Sequence, residues 1–100
     1  MVGLQTAAWW TMTEDQMRTE DCRLDVLNAL YARRTGAHEV GTIRTVYLRN
    51  RDYTLDEVKT ALSDLERLHY VEHAYESAVS SVVVWQIMGA GIVFKERGMK

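Results

Sequence analysis

Proline is absent from this chain, cysteine occurs once, and no strong excess of one charge is present. The single Cys22 cannot form a disulfide within the chain, and no secretion-signal pattern opens it, so we expect a protein of the reducing cytoplasm. Twelve Lys and Arg residues stand against fourteen Asp and Glu residues, a net charge of −2. This balance argues against tight nonspecific binding to nucleic acid.

Long apolar runs are also scarce. The uncharged segment from Ser77 to Phe94 contains three serines, a glutamine and two glycines, which favours a buried strand and turn over a membrane span. Hydrophobic residues make up 47% and charged residues 26% of 100 residues, as in one ordinary globular domain. We therefore predict a folded domain over residues 13–100, with no contact to a membrane.

Residues 1–12 are uncharged and include the adjacent Trp9 and Trp10, but they are too few to establish a period. Two interpretations stay open. The segment is a loosely ordered tail, or its tryptophans bind a partner protein.

Three helices are predicted in the first two thirds of the domain. The first begins at one of two capping signals, Thr13 or Thr19, and ends before Gly36. Its predicted buried stripe consists of Met17, Leu24, Leu27 and Tyr31, and it is widened by Val26 and Leu30. A short second helix spans Val40 to Asn50, with Val40, Ile43, Val46 and Tyr47 on one side. The third, over about 54–69, follows the capping box that opens at Thr54 and buries Leu55, Val58, Ala61, Leu62, Leu65 and Leu68.

The pattern changes to a period of two after the third helix. Val71, His73 and Tyr75 alternate with polar or small residues, and the run Val82 to Ile87 is rich in β-branched residues, so the two runs predict an antiparallel hairpin. A short closing helix over Ile92 to Arg97 would pack Ile92, Val93 and Phe94 on helix one. The predicted fold class is α+β: a winged helix-turn-helix of three helices, a two-stranded antiparallel wing and a short C-terminal helix.

This order of elements resembles the small winged-helix proteins of Mu-like bacteriophages, which are loosely grouped with ArsR-like regulators. The resemblance covers about Thr19 to Gly98. The residues that carry it are Thr19-Glu20-Asp21 with Arg23-Leu24 at the opening of helix one, Leu62 and Leu65 with Tyr70-Val71 at the exit of helix three, and Trp85 to Gly91, where the chain leaves the second wing strand. The resemblance implies a phage or prophage protein of a bacterial host cell.

A winged helix reads DNA with the solvent-facing side chains of its third helix. Here these are Asp56, Lys59, Thr60, Ser63 and Arg67. The segment from Arg33 to Arg51 holds five arginines against one glutamate, a local charge of +4, and we expect phosphate contacts from Arg44, Arg49 and Arg51. Our first hypothesis is a transcriptional regulator that binds duplex DNA as a homodimer; alternatively, these arginines are ordinary solvated charges.

Other charges favour a different function. No Lys or Arg lies between Arg67 and Lys95, and the wing carries Glu72 and Glu76 instead. The third helix holds four acids against two cations, which would repel a duplex if the acids faced it. The alternative hypothesis is a winged-helix module that binds a protein partner and no DNA.

Sites for metals and catalysis are not predicted. His69 and His73 have a spacing that can bind zinc on one helix face, but the end of helix three is predicted between them. No phosphate-binding glycine loop, nucleophile with its base, or buried carboxylate pair is recognisable. We therefore expect no cofactor, no metal and no enzymatic activity.

Overall fold

The computed structural model describes residues 13–77, 79 and 81–98. The predicted tail, with Trp9 and Trp10, lies outside these residues. Within them the chain is an α+β fold of four α-helices, one π-helix and a three-stranded antiparallel sheet. In chain order the elements are α1 (Glu14–Ala32), β1 (His38–Glu39), α2 (Val40–Thr42), π1 (Ile43–Tyr47), α3 (Leu55–Arg67), β2 (Val71–Tyr75), β3 (Val83–Ile87) and α4 (Gly89–Gly98).

Both long helices begin at capping boxes. The Thr13 hydroxyl accepts a hydrogen bond from the Gln16 N–H at 3.1 Å, and the Gln16 carboxamide oxygen accepts one from the Thr13 N–H at 3.0 Å. Thr54 and Glu57 repeat this exchange at the start of α3. The predicted start at Thr54 is confirmed, and of the two candidate starts for helix one the chain uses Thr13.

The predicted second helix over Val40 to Asn50 is wrong in type and length. Three residues of α2 lead into π1, in which the Leu48 N–H donates to the Ile43 carbonyl at 2.9 Å. The wider π turn buries Ile43 but leaves Val46 exposed, so Val46 does not face the core as predicted. Gly41 lowers the helix propensity of this segment, which makes a regular α-helix easier to displace.

The sheet contains a strand that the sequence pattern did not predict. Its order is β1-β3-β2, with Val71 opposite Ile87 and Tyr75 opposite Val83 in the predicted hairpin. On the other side of β3, His38 of β1 lies opposite Trp85. Two residues are too few to produce an alternating pattern, so only the pairing with β3 reveals β1.

The core is built where α1, α3 and the base of the hairpin meet. Its fully buried side chains are Leu27, Leu30, Ile43, Leu62, Val26, Val58 and Val71. The predicted stripe of α1 is partly wrong, because Met17 and Leu24 are 53% and 44% exposed while Cys22 and Ala29 are buried. Contact with α3 selects the face of α1 that is buried, and the composition of the stripe alone does not.

The C-terminal end of α3 is closed by a turn with a left-handed residue. The Tyr70 N–H donates to the Leu65 carbonyl at 3.0 Å and the His69 N–H to the Glu66 carbonyl at 2.9 Å, a Schellman motif. His69 has a φ of 64°, in the left-handed region. The helix ends at Arg67, two residues before His69, so the predicted end between His69 and His73 lies too far along the chain. Leu55 and Leu68, at the two ends of the predicted buried stripe, are exposed instead of buried.

The closing helix α4 begins at Gly89, three residues before the predicted start. Ile92 packs against the core, but Val93 and Phe94 are exposed, which corrects the prediction that all three pack on helix one. Phe94 instead stacks on the ring of Tyr70, with 4.8 Å between centroids. None of the helices in the described part of the chain is both long and apolar enough to cross a bilayer.

Candidate nucleic-acid interface

One face of α3 is open to solvent along its whole length. All five side chains predicted to face outward are exposed; we call this set the outer strip: Asp56, Lys59, Thr60, Ser63 and Arg67. The opposite face carries the buried Val58, Leu62 and Leu65. Capping at Thr54 and the leucine stripe together orient the helix this way.

The acids of α3 other than Asp56 lie beside the outer strip and have cationic or basic partners. Glu57 accepts from the Arg18 guanidinium, including a 2.9 Å bond from one Nη. Asp64 accepts from Arg23 Nε at 3.0 Å. The outer strip itself holds two cations and one acid, a net charge of +1, so the overall acidic balance of α3 is not what this face presents.

Glu66 contacts the hairpin formed by β2 and β3. Its carboxylate lies 2.6 Å from His73 Nδ1 and accepts the His73 backbone N–H at 3.2 Å. This contact joins the middle of β2 to the last turn of α3. It also occupies the His73 N–H on the free edge of β2, an edge at which another strand could otherwise pair.

Arg67 is the most exposed of the paired cations. Its Nη1 donates to Asp64 Oδ1 at 3.1 Å while 77% of its side chain remains accessible. Asp64 therefore accepts from two arginines, one on each helix, and orients Arg67 at the C-terminal end of the outer strip.

The three arginines predicted to contact phosphate have different environments. Arg51 lies against α1, with its Nε 3.0 Å from Asp25 Oδ2, so its charge is partly matched within the chain. Arg49 is exposed and forms no hydrogen bond or ion pair with the described residues. Arg44 is half-buried, and its Nε lacks a hydrogen-bond partner in the described part of the chain.

A buried tyrosine ties the turn before α3 to α1, and no sequence pattern predicted it. Tyr53 is 5% exposed, and its hydroxyl donates to Asp25 at 2.7 Å. Burial, followed by the Asp25 contact, raises the pKa of Tyr53 above its ordinary value. Arg18 reaches the same turn, where it donates to Asp52 at 3.1 Å. These contacts set the position from which α3 starts.

The Arg18–Glu57 pair makes stability depend on pH in the acid range. The hydrogen bonds from Arg18, followed by that from the Thr54 backbone, lower the pKa of Glu57 from 4.5 to about 2. Because the folded pKa is the lower one, the pair stabilises the protein above about pH 4.5, and this contribution is lost as the pH falls toward 2. We expect Arg18→Gln to reduce the pH dependence of unfolding, measured by urea titration, across this interval.

Arg34→Gln is the matched control, because Arg34 contacts the ring and carbonyl of Tyr31 and no carboxylate within the described residues. It should keep the acid dependence of the parent chain. An equal reduction in both variants would contradict the assignment to the Arg18–Glu57 pair.

Cys22 lines a small cavity between α1 and α3. The cavity has a volume of about 210 Å³ and is bordered by Thr19, Cys22, Glu57, Thr60 and Ala61. The thiol donates to the Glu57 carbonyl at 3.6 Å, and burial raises the pKa of Cys22 to about 11. The thiol stays protonated at neutral pH, which makes it a poor nucleophile and fits a packing role.

The histidines that could suggest a metal site are used elsewhere. His73 contacts Glu66 and lies 5.2 Å from the ring of Trp85, while His69 occupies the turn after α3. Across residues 13–77, 79 and 81–98, no three His, Cys, Asp or Glu side chains are arranged to hold a metal ion.

The hairpin β2–β3, predicted to be a wing, presents acidic and apolar groups. Glu72 and Glu76 are exposed, and so are Tyr75 and, at 97%, Val79. A surface of this kind lacks the cations with which DNA-binding wings contact phosphate.

Comparison with family models, with curated proteins and with solved structures finds no match to this chain.

Proposed function

We propose that this chain is a winged helix-turn-helix protein that binds duplex DNA through the outer strip of α3. The observation that carries the proposal is the separation of charges on this helix. Glu57, Asp64 and Glu66 are occupied by Arg18, Arg23 and His73, whereas Lys59, Thr60 and Ser63 are exposed and have no partner within the described residues. Hydroxyl and cationic side chains on an open helix face are the groups that contact base edges in a major groove.

The arrangement of elements supports this reading. The hairpin β2–β3 follows α3 directly, and α2 with π1 precedes it, in the order of a winged helix-turn-helix. Arg49 and Arg44 would contribute phosphate contacts, and Arg51 would do so with the part of its guanidinium that faces away from Asp25. The resemblance to small phage winged-helix proteins favours a transcriptional regulator. One such module covers one half-site, so we propose a homodimer on DNA.

We predict that the double substitution Lys59→Gln with Arg67→Gln weakens duplex binding by about tenfold or more, because each cation supplies a charged contact. On a mixed-sequence duplex these two cations also neutralise phosphates, so the substitution should reduce the steepness of the plot of log affinity against log salt by about one to two. The measurement is a fluorescence anisotropy titration with a mixed-sequence duplex at several salt concentrations, with light scattering to report the mass of the complex.

The matched control is Arg97→Gln, because Arg97 is exposed on α4 and forms no ion pair with the described residues. It should leave affinity nearly unchanged at moderate salt. Absence of any duplex binding by the parent chain at low salt would overturn the proposed function.

The acidic wing favours a second candidate function, a module that binds a protein partner. Exposed Tyr75 and Val79 beside Glu72 and Glu76 would suit a partner with apolar and basic side chains. Substitution of Tyr75 by Ser separates the two functions: it should leave duplex affinity unchanged if α3 binds DNA alone, and it should weaken binding to the partner if the wing is the interface.

A further inference from the structure

A polar cleft lies between the C-terminal half of α1 and the segment that runs from π1 into the following turn, and none of its lining residues belongs to the outer strip. Its volume is about 320 Å³. The apolar lining consists of Ala29, Ala32 and Leu48. The polar lining consists of two guanidinium groups, two carboxamides, a phenol and a carboxylate: Arg33, Arg51, Asn28, Asn50, Tyr47 and Asp25.

Arg33 is held in place by a closed chain of contacts. Its guanidinium stacks 3.8 Å from the centroid of the Tyr47 ring. The Tyr47 hydroxyl lies 2.9 Å from His38 Nδ1, and His38 Nε2 lies 3.0 Å from the Arg33 carbonyl oxygen. Because a carbonyl only accepts, Nε2 carries a proton and donates to the Arg33 carbonyl. Of the three guanidinium nitrogens of Arg33, only Nη1 forms a hydrogen bond within the described residues, a weak one to the Ala29 carbonyl oxygen at 3.5 Å.

Arg51 is oriented from the other side of the cleft. Its Nε lies 3.0 Å from Asp25, whose same oxygen accepts the Tyr53 hydroxyl. Neither Nη group of Arg51 is paired within the described residues, so the fork of donors remains available. The carboxamides of Asn28 and Asn50 are exposed and likewise have no hydrogen-bond partner there.

We propose that this cleft binds a phosphate group. Two guanidiniums against one carboxylate give the lining a net charge of +1, and Asp25 is already matched by Arg51 and Tyr53. Guanidinium forks fit the geometry of phosphate oxygens, and carboxamide N–H groups add neutral donors. The C-terminal end of α1 carries a partial negative charge, which the Arg33 guanidinium in the cleft offsets. The phosphate belongs to a small phosphorylated molecule or to a nucleic-acid backbone.

The test is an NMR titration of the ¹⁵N-labelled chain with inorganic phosphate, followed through the side-chain amides of Asn28 and Asn50. Saturable shifts of these amides are expected, with a dissociation constant of about 1 mM for this minimal probe. Arg33→Gln should weaken binding about tenfold, since it removes a charged donor. Arg34→Gln is the matched control, because it makes the same change of charge one residue away. The Arg34 guanidinium stacks on Tyr31 outside the cleft, so this substitution should leave phosphate binding unchanged.

Asn28→Ala keeps the test valid if Arg33→Gln disturbs folding, because Asn28 is exposed and alanine favours a helix. It should weaken phosphate binding by a few fold. No saturable shift in the parent chain, or equal weakening in Arg34→Gln and Arg33→Gln, would overturn the proposal.

Competition experiments identify the source of the phosphate. Displacement by a nucleoside 5′-monophosphate but not by a short duplex assigns the cleft to a small ligand, and the reverse assigns it to a nucleic-acid backbone. If the chain binds phosphate but no duplex DNA, the proposal for the cleft is supported and the proposed DNA binding by α3 is overturned.

Discussion

Leu62→Ala is expected to lower the free energy of unfolding by about 3–5 kcal/mol, the upper part of the range for a leucine removed from a packed core. Leu62 is fully buried in α3, among the side chains that join this helix to α1 and the base of the hairpin. The loss combines the transfer free energy of the deleted methyl groups with a cavity that the rigid neighbours cannot fill. Urea unfolding followed by circular dichroism measures it.

Leu68→Ala is the matched comparison, because the same substitution is made in the same apolar stripe of the sequence. Leu68 is 54% exposed, and we expect a change within about 0.5 kcal/mol. Similar losses in the two variants would show that α3 is buried along its whole predicted stripe, in contradiction to the structure.

Gly91→Ala is expected to destabilise the protein by about 2–3 kcal/mol. A Cβ at this position would meet the Tyr70 carbonyl oxygen, and it would approach Ile87 Cγ1 to 2.9 Å. The same Tyr70 oxygen accepts the Met88 N–H at 2.8 Å, so moving α4 away would break that hydrogen bond. The clash is with backbone, which cannot rotate out of the way as a long side chain would.

Gly89→Ala on the same helix provides the control. Apart from its chain neighbours and the adjacent backbone of α4, nothing lies within 4 Å of the position that its Cβ would occupy. Helix propensity then dominates, and stability should be unchanged or rise by up to about 1 kcal/mol. Thermal unfolding of both variants decides the matter, and a loss of stability in Gly89→Ala as large as that in Gly91→Ala would contradict a role for close packing at Gly91.

The outer strip and the cleft differ in how far sequence patterns could predict them. The outer strip follows from one periodic helix with a capping signal, so exposure of Lys59 and Ser63 could be predicted without coordinates. The cleft joins Asn28 and Arg33 of α1 to Asn50 and Arg51, residues that a local pattern does not connect. Arg51 was expected to contact phosphate, but its orientation by Asp25 depends on a contact between segments 26 residues apart.

The sequence by itself determined where α3 begins and which side of it is apolar, because capping and helical period are local properties of the chain. It also determined the hairpin, through an alternation that two adjacent segments share. Only the tertiary structure decided the rest: the neutralisation of the acids of α3 by Arg18 and Arg23, the burial of Tyr53, the strand β1 and the π-helical turn. The first three depend on a partner from a distant segment, and the π-helical turn accompanies the burial of Ile43 in the core. The free energy of such tertiary contacts outweighs the local preference of the residues involved.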